Sequence, residues 1–130
     1  MHPDRILPLF VTDRLEATRR FYVEQAGFSV ALEMDGYLAV SYGEVAISFV
    51  RPDAMTMLRE RPFGGHGAIL SVPTADADDK ARAFADAGVA PLVPVETRPW
   101  GWRSFLVRDP NGVLLDFFHV AAETPADAAG

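Results

Sequence analysis

The 130-residue sequence has no cysteine, which excludes disulfide bonds and a cysteine nucleophile. It also lacks any apolar run of about eighteen residues, the length that a membrane-spanning helix requires. The opening MHPDRILPLF has neither the long apolar stretch nor the small-residue cleavage site of a signal peptide. These absences predict a cytoplasmic protein with no membrane partner.

Positive charge is also scarce, and the net charge of −6 repels phosphate backbones, so we expect no nucleic-acid partner. The sequence has no Gly-x-Ser-x-Gly segment, the motif whose sharp turn exposes a serine nucleophile. The glycine-rich PFGGHG lacks the lysine and the helix start of a phosphate-binding loop. The sequence therefore gives no support to nucleophilic hydrolysis or to a phosphate-cradling loop.

Two segments follow one plan, since VTDRLEATRRFYVEQAGF from Val11 aligns without a gap with VPTADADDKARAFADAGV from Val72. Each predicts a strand end followed by an amphipathic helix that closes at Ala-Gly. The N-cap candidates are Thr12 or Asp13, and Thr74 or Asp76. The helix faces, at spacings of three and four, are Leu15, Thr18, Tyr22 and Ala26, and Ala77, Ala81, Phe84 and Ala87.

Three short strands are predicted after each helix: FSVALEM, YLAVSY and EVAISFV, then PLVPVE, WRSFLVRD and GVLLDFFHV. In the last hairpin, Asp109-Pro110-Asn111-Gly112 predicts a type I turn with a glycine bulge. The prediction is an α+β fold of two tandem βαβββ modules, which form a cup-shaped mixed sheet with helices outside. We expect a single domain over 1–120, with modules at about 5–50 and 67–119. The linker 51–66 is predicted to hold a short helix near 53–58, and 121–130 to form a flexible tail.

Alternation along the strands separates an apolar face, expected to pack on the helices, from a mixed face with aromatic and hydroxyl groups. A concave sheet of this kind suits a largely apolar pocket with a few polar groups. The candidate ligand-binding residues are Tyr37, Ser41, Ser48, Trp100, Trp102, Asp116 and Phe118.

Asp116 lies in a strand that is apolar on both sides, so its carboxylate is expected to be buried and to need a partner. One interpretation is structural, with the partner chosen from Arg103, Ser104 and Ser71. The other is an acceptor for a donor or cation on a ligand. Trp102 is predicted to be a pocket wall, whereas Trp100 either shares that role or caps the core.

The two modules, the helix end FYVEQAGFSV and the segment PWGWRSFLVRDPNGVLLDF resemble the vicinal oxygen chelate superfamily over about Arg5 to His119. That superfamily includes glyoxalase I, extradiol dioxygenases and the bleomycin and fosfomycin resistance proteins. The Pro-Trp-Gly segment and the opening ILPLFV, with its mid-strand proline, resemble the bleomycin-resistance branch most.

In catalytic members, the resemblance implies a divalent metal held from the first and last strand of each module. The matching positions here are Ile6, Gly67, Ala46 (or Ser48) and Asp116. Only Asp116 is a metal ligand by chemistry, and one carboxylate is too few, so we expect no metal and no cofactor. A register slip would bring in His66, although GGHG is more typical of a loop with an exposed imidazole.

Pro8 cannot donate to a strand ladder, so the first strand is expected at a sheet edge or against another chain. In the bleomycin-resistance branch this arm crosses to the second subunit and the binding clefts form between subunits. The resemblance therefore implies a homodimer with a small-molecule ligand.

Three functions are compatible with these observations. The first is a metal-free protein, not an enzyme, that sequesters an aromatic or cationic compound such as an antibiotic. The second is a metal-dependent lyase, isomerase or dioxygenase of the same superfamily, which requires a different register. The third is a module that senses a metabolite or forms part of a larger enzyme. The sequence favours the first and leaves the ligand open.

Overall fold

The computed structural model describes residues 5–55 and 60–121, which fall into two compact units. The first unit holds the described residues up to His66 together with the turn 109–112, and the second holds 67–108 and 113–121. The expected flexible tail, apart from Ala121, lies outside the described residues. Of the short linker helix expected near 53–58, a 3₁₀ turn at Pro52–Ala54 is observed, and residues 56–58 again lie outside.

The first unit is a four-stranded mixed sheet with one helix. Its strands lie in the order β1-β4-β3-β2, with β1 parallel to β4 and the other neighbours antiparallel. Its elements are β1 (Leu9–Val11), α1 (Leu15–Arg20), a π-helical turn (Phe21–Gln25), β2 (Ser29–Met34), β3 (Tyr37–Tyr42) and β4 (Val45–Val50).

The second unit repeats this plan, which confirms the predicted α+β fold of two tandem βαβββ modules. Its strands lie in the order β5-β8-β7-β6, again with one parallel pair, β5 with β8. Its elements are β5 (Ile69–Pro73), α2 (Ala77–Asp86), β6 (Val93–Thr97), β7 (Trp102–Arg108) and β8 (Leu114–Val120).

The helix starts agree with the sequence in one module only. Asp76 caps α2, since its carboxylate accepts from the Asp79 amide at 3.1 Å. The prediction of Thr12 or Asp13 for α1 is wrong, because Arg14 occupies the N-cap position and no side chain of the described residues caps there. The Thr12 hydroxyl instead accepts from the Arg14 amide and donates to Asn111, which places it before the helix.

Each sheet buries the face that turns toward its helix, as alternation predicts. Side chains that the strand register puts on the helix side are buried in both units, among them Leu38, Val40, Ile47, Phe49, Val72, Phe105, Leu115 and Phe117. Tyr22 reaches Phe49 with ring centroids 5.1 Å apart, and Phe84 of α2 reaches Phe117 at 5.4 Å. Apolar burial of this kind is the main driving force for each module.

Two local predictions are confirmed. Asp109 to Gly112 forms the expected turn, with the Gly112 amide donating to the Asp109 carbonyl at 3.1 Å and Gly112 at φ +90°. The strand that follows Pro8 lies at a sheet edge. It is shorter than ILPLFV suggested, since pairing begins at Leu9. Within residues 5–55 and 60–121, no helix is long and apolar enough to cross a membrane.

Candidate ligand-binding site

The second sheet has one face against α2 and one face turned away from it, and the latter carries most of the candidate site. The register pairs Phe118 with Ser104, and Asp116 with both Leu106 of β7 and Ser71 of β5. Directly paired residues point to the same side of a sheet. Trp102, two residues before Ser104, therefore shares this side; we call it the open face of the second unit.

Three aromatic side chains cluster on this open face. The rings of Trp102 and Phe118 stack with centroids 3.8 Å apart and planes 8° apart. Trp100 meets Trp102 edge-on at 6.4 Å and 72°. Trp100 is 48% exposed, whereas Trp102 and Phe118 are half-buried. Trp100 therefore joins the aromatic cluster at its exposed side and does not cap the core.

Asp116 lies on the same face, two residues before Phe118 and thus about 7 Å from it along β8. The Ser71 hydroxyl donates to its Oδ2 at 3.2 Å. Its other oxygen, Oδ1, is buried and has no hydrogen-bond partner among residues 5–55 and 60–121. A carboxylate oxygen removed from water and left unpaired is unfavourable, so Asp116 is only half compensated.

Of the three structural partners expected for Asp116, Ser71 is confirmed and the other two are wrong. Arg103 lies on the helix side of β7, where its Nε and Nη2 donate to Asp78 of α2 at 2.7 and 2.9 Å. This pairing lowers the pKa of Asp78, first through the hydrogen bonds, and raises the pKa of Arg103. Alternation along β7 separates Arg103 from Asp116, so parity alone should have excluded this pair.

The Ser104 side chain accepts a hydrogen bond from Arg98 and is not hydrogen-bonded to Asp116. Arg98 is not among the residues predicted from the sequence. The Arg98 Nε donates to the Ser104 hydroxyl at 2.9 Å, and its side chain is only 14% exposed. A long side chain that folds back along its own hairpin leaves no periodic signal. The nearby Pro94, which removes a donor from β6, is the only hint in the sequence.

The remaining candidates lie in the first unit, on the face of its sheet turned away from α1. The Tyr37 hydroxyl donates to the Ser48 Oγ at 3.0 Å, and Ser48 is buried. Ser41 shares that face by register but pairs with Ala46 across the strands. Alternation along the strands thus predicted the face correctly for all three residues. The hydrogen bond joins only Tyr37 and Ser48.

The first unit also contains a groove of about 310 Å³ between α1 and the turn from β2 to β3. Two arginines line it, and both already pair with carboxylates: Arg19 with Glu33 at 2.7 Å, and Arg51 with Asp35 at 3.3 Å. Both arginines of the groove are already paired with carboxylates, so the groove has less free charge to bind a ligand than the open face of the second unit has.

The divalent metal implied by the resemblance does not fit the side chains at the matching positions. Ile6 and Gly67 have no donor side chain, and the β4 position is Ala46 or Ser48. Asp116 alone is anionic. His66 is exposed in the loop before β5. Among the described residues, no three His, Asp or Glu side chains are grouped to hold a metal ion.

Solved structures share this fold. A glyoxalase/bleomycin resistance protein/dioxygenase from Nocardioides is 20% identical, with TM-score 0.72 and coverage of 96% of this chain and 89% of that chain. The bleomycin resistance determinant encoded on transposon Tn5 is 17% identical, with TM-score 0.71 and coverage of 92% and 99%. A bleomycin-binding protein complexed with bleomycin is 20% identical, with TM-score 0.66 and coverage of 89% and 98%.

No match was found among curated proteins. The model of the Glyoxalase/Bleomycin resistance protein/Dioxygenase superfamily matches residues 3–117, nearly the whole chain. The match spans the first βαβββ module and the second as far as Phe117, so it includes Trp102 and Asp116 of the open face. The chain therefore belongs to the glyoxalase/bleomycin resistance protein/dioxygenase superfamily.

Proposed function

We propose that this protein is a metal-free binding protein of the bleomycin-resistance type, which sequesters a planar cationic compound such as an antibiotic in the cytoplasm. The ligand-binding residues of the second unit are Asp116 and the aromatic cluster of Trp100, Trp102 and Phe118. Tyr37, Ser41 and Ser48 are the candidate ligand-binding residues of the first unit. Two solved structures of the same fold, the bleomycin resistance determinant of Tn5 and the bleomycin-binding protein complexed with bleomycin, support this class of ligand.

The observation that carries the proposal is the buried Oδ1 of Asp116, which has no hydrogen-bond partner in the described part of the chain. A ligand N–H or cation that pairs with the Asp116 carboxylate offsets the cost of leaving that carboxylate half compensated, so binding gains more than a hydrogen bond in water would. Tryptophan and phenylalanine rings on the same face add stacking and cation–π attraction for a planar cation. Charge and aromaticity therefore favour the same ligand class.

The metal-free part of the proposal is supported by the donor set. A divalent ion needs several anionic or imidazole ligands to offset its dehydration, and Asp116 is the single carboxylate at the matching positions. We expect elemental analysis to find no stoichiometric metal and melting temperatures to be unchanged by Zn²⁺, Ni²⁺, Mn²⁺ and Fe²⁺. A bound metal or a clear shift would favour the metal-dependent enzyme instead.

A homodimer is the second part of the proposal. The edge strand β1 and the residues before it expose apolar side chains, with Ile6 93% exposed and Leu9 50% exposed. Unpaired edges and exposed apolar groups of this kind are typical of a surface that another chain covers. Sedimentation equilibrium is expected to give twice the chain mass, and a monomer at micromolar concentration would contradict this part.

Binding is tested with p-aminobenzamidine, a planar monocation, and with 4-aminobenzamide, its neutral analogue of nearly the same shape. Calorimetric titration is expected to give at least tenfold tighter binding of the cation, equivalent to about 1.4 kcal/mol. Asp116→Asn should remove that preference. Equal affinities of the wild-type protein for the two compounds would contradict the proposal. Bleomycin is titrated in the same way as a larger probe.

Trp102→Ala tests the aromatic wall. Both tryptophans of the chain lie in the aromatic cluster, so tryptophan fluorescence reports on it alone. The variant is expected to lose the ligand-dependent fluorescence change and most of the affinity while its far-UV spectrum stays that of the wild type. Unchanged affinity would remove Trp102 from the site.

A further inference from the structure

The β6–β7 hairpin carries both tryptophans at its tip. The Arg98 amide donates to the Trp102 carbonyl at 2.6 Å, and the Gly101 amide donates back to the Arg98 carbonyl at 2.9 Å. Trp100 lies inside this turn and Trp102 is the first residue of β7. The conformation of the turn at 98–101 therefore sets the positions of both indoles.

The strands that hold this turn are not regularly paired. The register of β6 against β7 shifts between Val93 and Glu96, with Pro94 inside the irregular stretch. Proline has no amide hydrogen, so β6 lacks a ladder donor there. Carbonyl groups next to such a gap need donors from elsewhere.

The Arg98 side chain supplies these donors. Its Nη2 donates to the Pro94 carbonyl at 3.2 Å and to the Ser104 carbonyl at 2.9 Å, which lie on the two strands of the hairpin. Its Nε reaches the Ser104 hydroxyl at 2.9 Å, and Nη1 reaches Glu96 at 3.1 Å. One planar guanidinium thus bridges the irregular stretch of the hairpin.

We propose that Arg98 is the positioning residue of the aromatic cluster: it bridges β6 and β7 at Pro94 and so holds the turn that presents Trp100 and Trp102. Its role in affinity rests on the proposed function, whereas its role in placing the indoles does not. Arginine is required because its rigid fork donates in several directions at once, which a lysine ammonium cannot match with the same geometry.

The experiment compares Arg98→Met and Arg98→Lys with Arg103→Met as the matched control. Arg103 lies on the same hairpin but on the helix side, where it pairs with Asp78 and its Nη1 donates to the Thr97 hydroxyl of β6 at 3.2 Å, so it controls for the loss of one cross-strand hydrogen bond away from Pro94. Near-UV circular dichroism, tryptophan quenching by acrylamide and affinity for p-aminobenzamidine are measured for each variant. Thermal melting reports stability separately.

Arg98→Met is expected to lose at least half of the near-UV tryptophan signal and to weaken binding tenfold or more, with Arg98→Lys intermediate. Arg103→Met is expected to melt earlier but to keep the tryptophan signal and an affinity within twofold of the wild type. If Arg98→Met does not fold, Arg98→Lys decides by the same signals.

An unchanged near-UV spectrum and unchanged quenching in the folded Arg98 variants would overturn the proposal, as would equal losses in Arg103→Met. The two proposals fail differently. If the wild-type protein binds none of the probes, the proposed function fails, while the near-UV comparison of the variants still tests whether Arg98 places the indoles.

Discussion

The Tyr22 hydroxyl donates to the Asp109 Oδ2 at 2.8 Å, and both residues are buried. The other oxygen of this carboxylate, Oδ1, accepts a hydrogen bond from the backbone amide of Asn111 at 2.8 Å. The hydrogen bond fastens the helical segment that follows Arg20 to the turn 109–112 within the first unit. Burial, then the charge of Asp109 and the hydrogen bond to it, raises the pKa of Tyr22 well above its ordinary value.

Tyr22→Phe is therefore expected to destabilise the protein by about 1 to 3 kcal/mol, because Asp109 loses a buried donor. Urea denaturation at neutral pH measures this difference. A folded pKa above the unfolded value means that the contribution is complete below about pH 10 and is lost as the pH rises beyond it. The wild type and the variant should thus converge in stability in alkali, and a difference that stays constant to high pH would contradict this assignment.

Gly112, the last residue of the turn 109–112, gives a second prediction about stability. A Cβ built on Gly112 would lie 2.6 Å from the Gly65 Cα, and the φ of +90° is unfavourable for other residues. Gly112→Ala is expected to lower the free energy of unfolding by about 2 kcal/mol or more, because backbone must shift. Gly43→Ala is the control, since its φ of +58° is also positive but no atom of the described residues lies within 4 Å of its Cβ position. Equal losses in both variants would show that strain alone, without the close approach, determines the cost.

Much of the fold could be predicted because alternation and turn residues act locally. The strand YLAVSY agrees with β3 at both ends, and WRSFLVRD exceeds β7 by one residue, since Gly and Asp mark the breaks. The cap of α1 could not be predicted. Thr12 and Asp76 are both favoured N-cap residue types, but the Thr12 hydroxyl contacts Asn111, which is distant along the chain.

In the candidate site, too, local features could be predicted from the sequence, whereas side-chain partners could not. Strand parity predicted that Trp102, Asp116 and Phe118 share a face, because side-chain direction depends only on position along the strand. The partners of these residues depend on side-chain reach. Arg98 folds back across its hairpin to Ser104, and no pattern in the sequence encodes that path.

Asp78 gives a prediction on acid stability. Its pKa is lowered chiefly by hydrogen bonds from Arg103, so its contribution to folding is complete above the ordinary pKa of about 4. The contribution is lost as the pH falls through the lowered folded pKa. Melting curves of Asp78→Asn and wild type should differ at neutral pH and converge below about pH 4. Asp86→Asn, at the other end of α2, is the control and is expected to show no such convergence.

Asp116→Asn is expected to raise the melting temperature while it removes the preference for a cation. One carboxylate oxygen accepts from Ser71, and the other is buried with no partner among the residues that the structure describes, so neutralising the group relieves an uncompensated charge. A gain of about 1 kcal/mol corresponds to roughly 3 to 5 °C at this chain length.

Ser71→Ala is the matched variant, because it removes the hydroxyl that donates to Asp116 and is expected to lower the melting temperature. Opposite shifts in the two variants would mean that the protein retains the charge at a cost to stability, as expected of a group kept for a ligand. Equal losses would instead mean that the carboxylate stabilises the second unit, and the proposed role of Asp116 in binding would then be wrong.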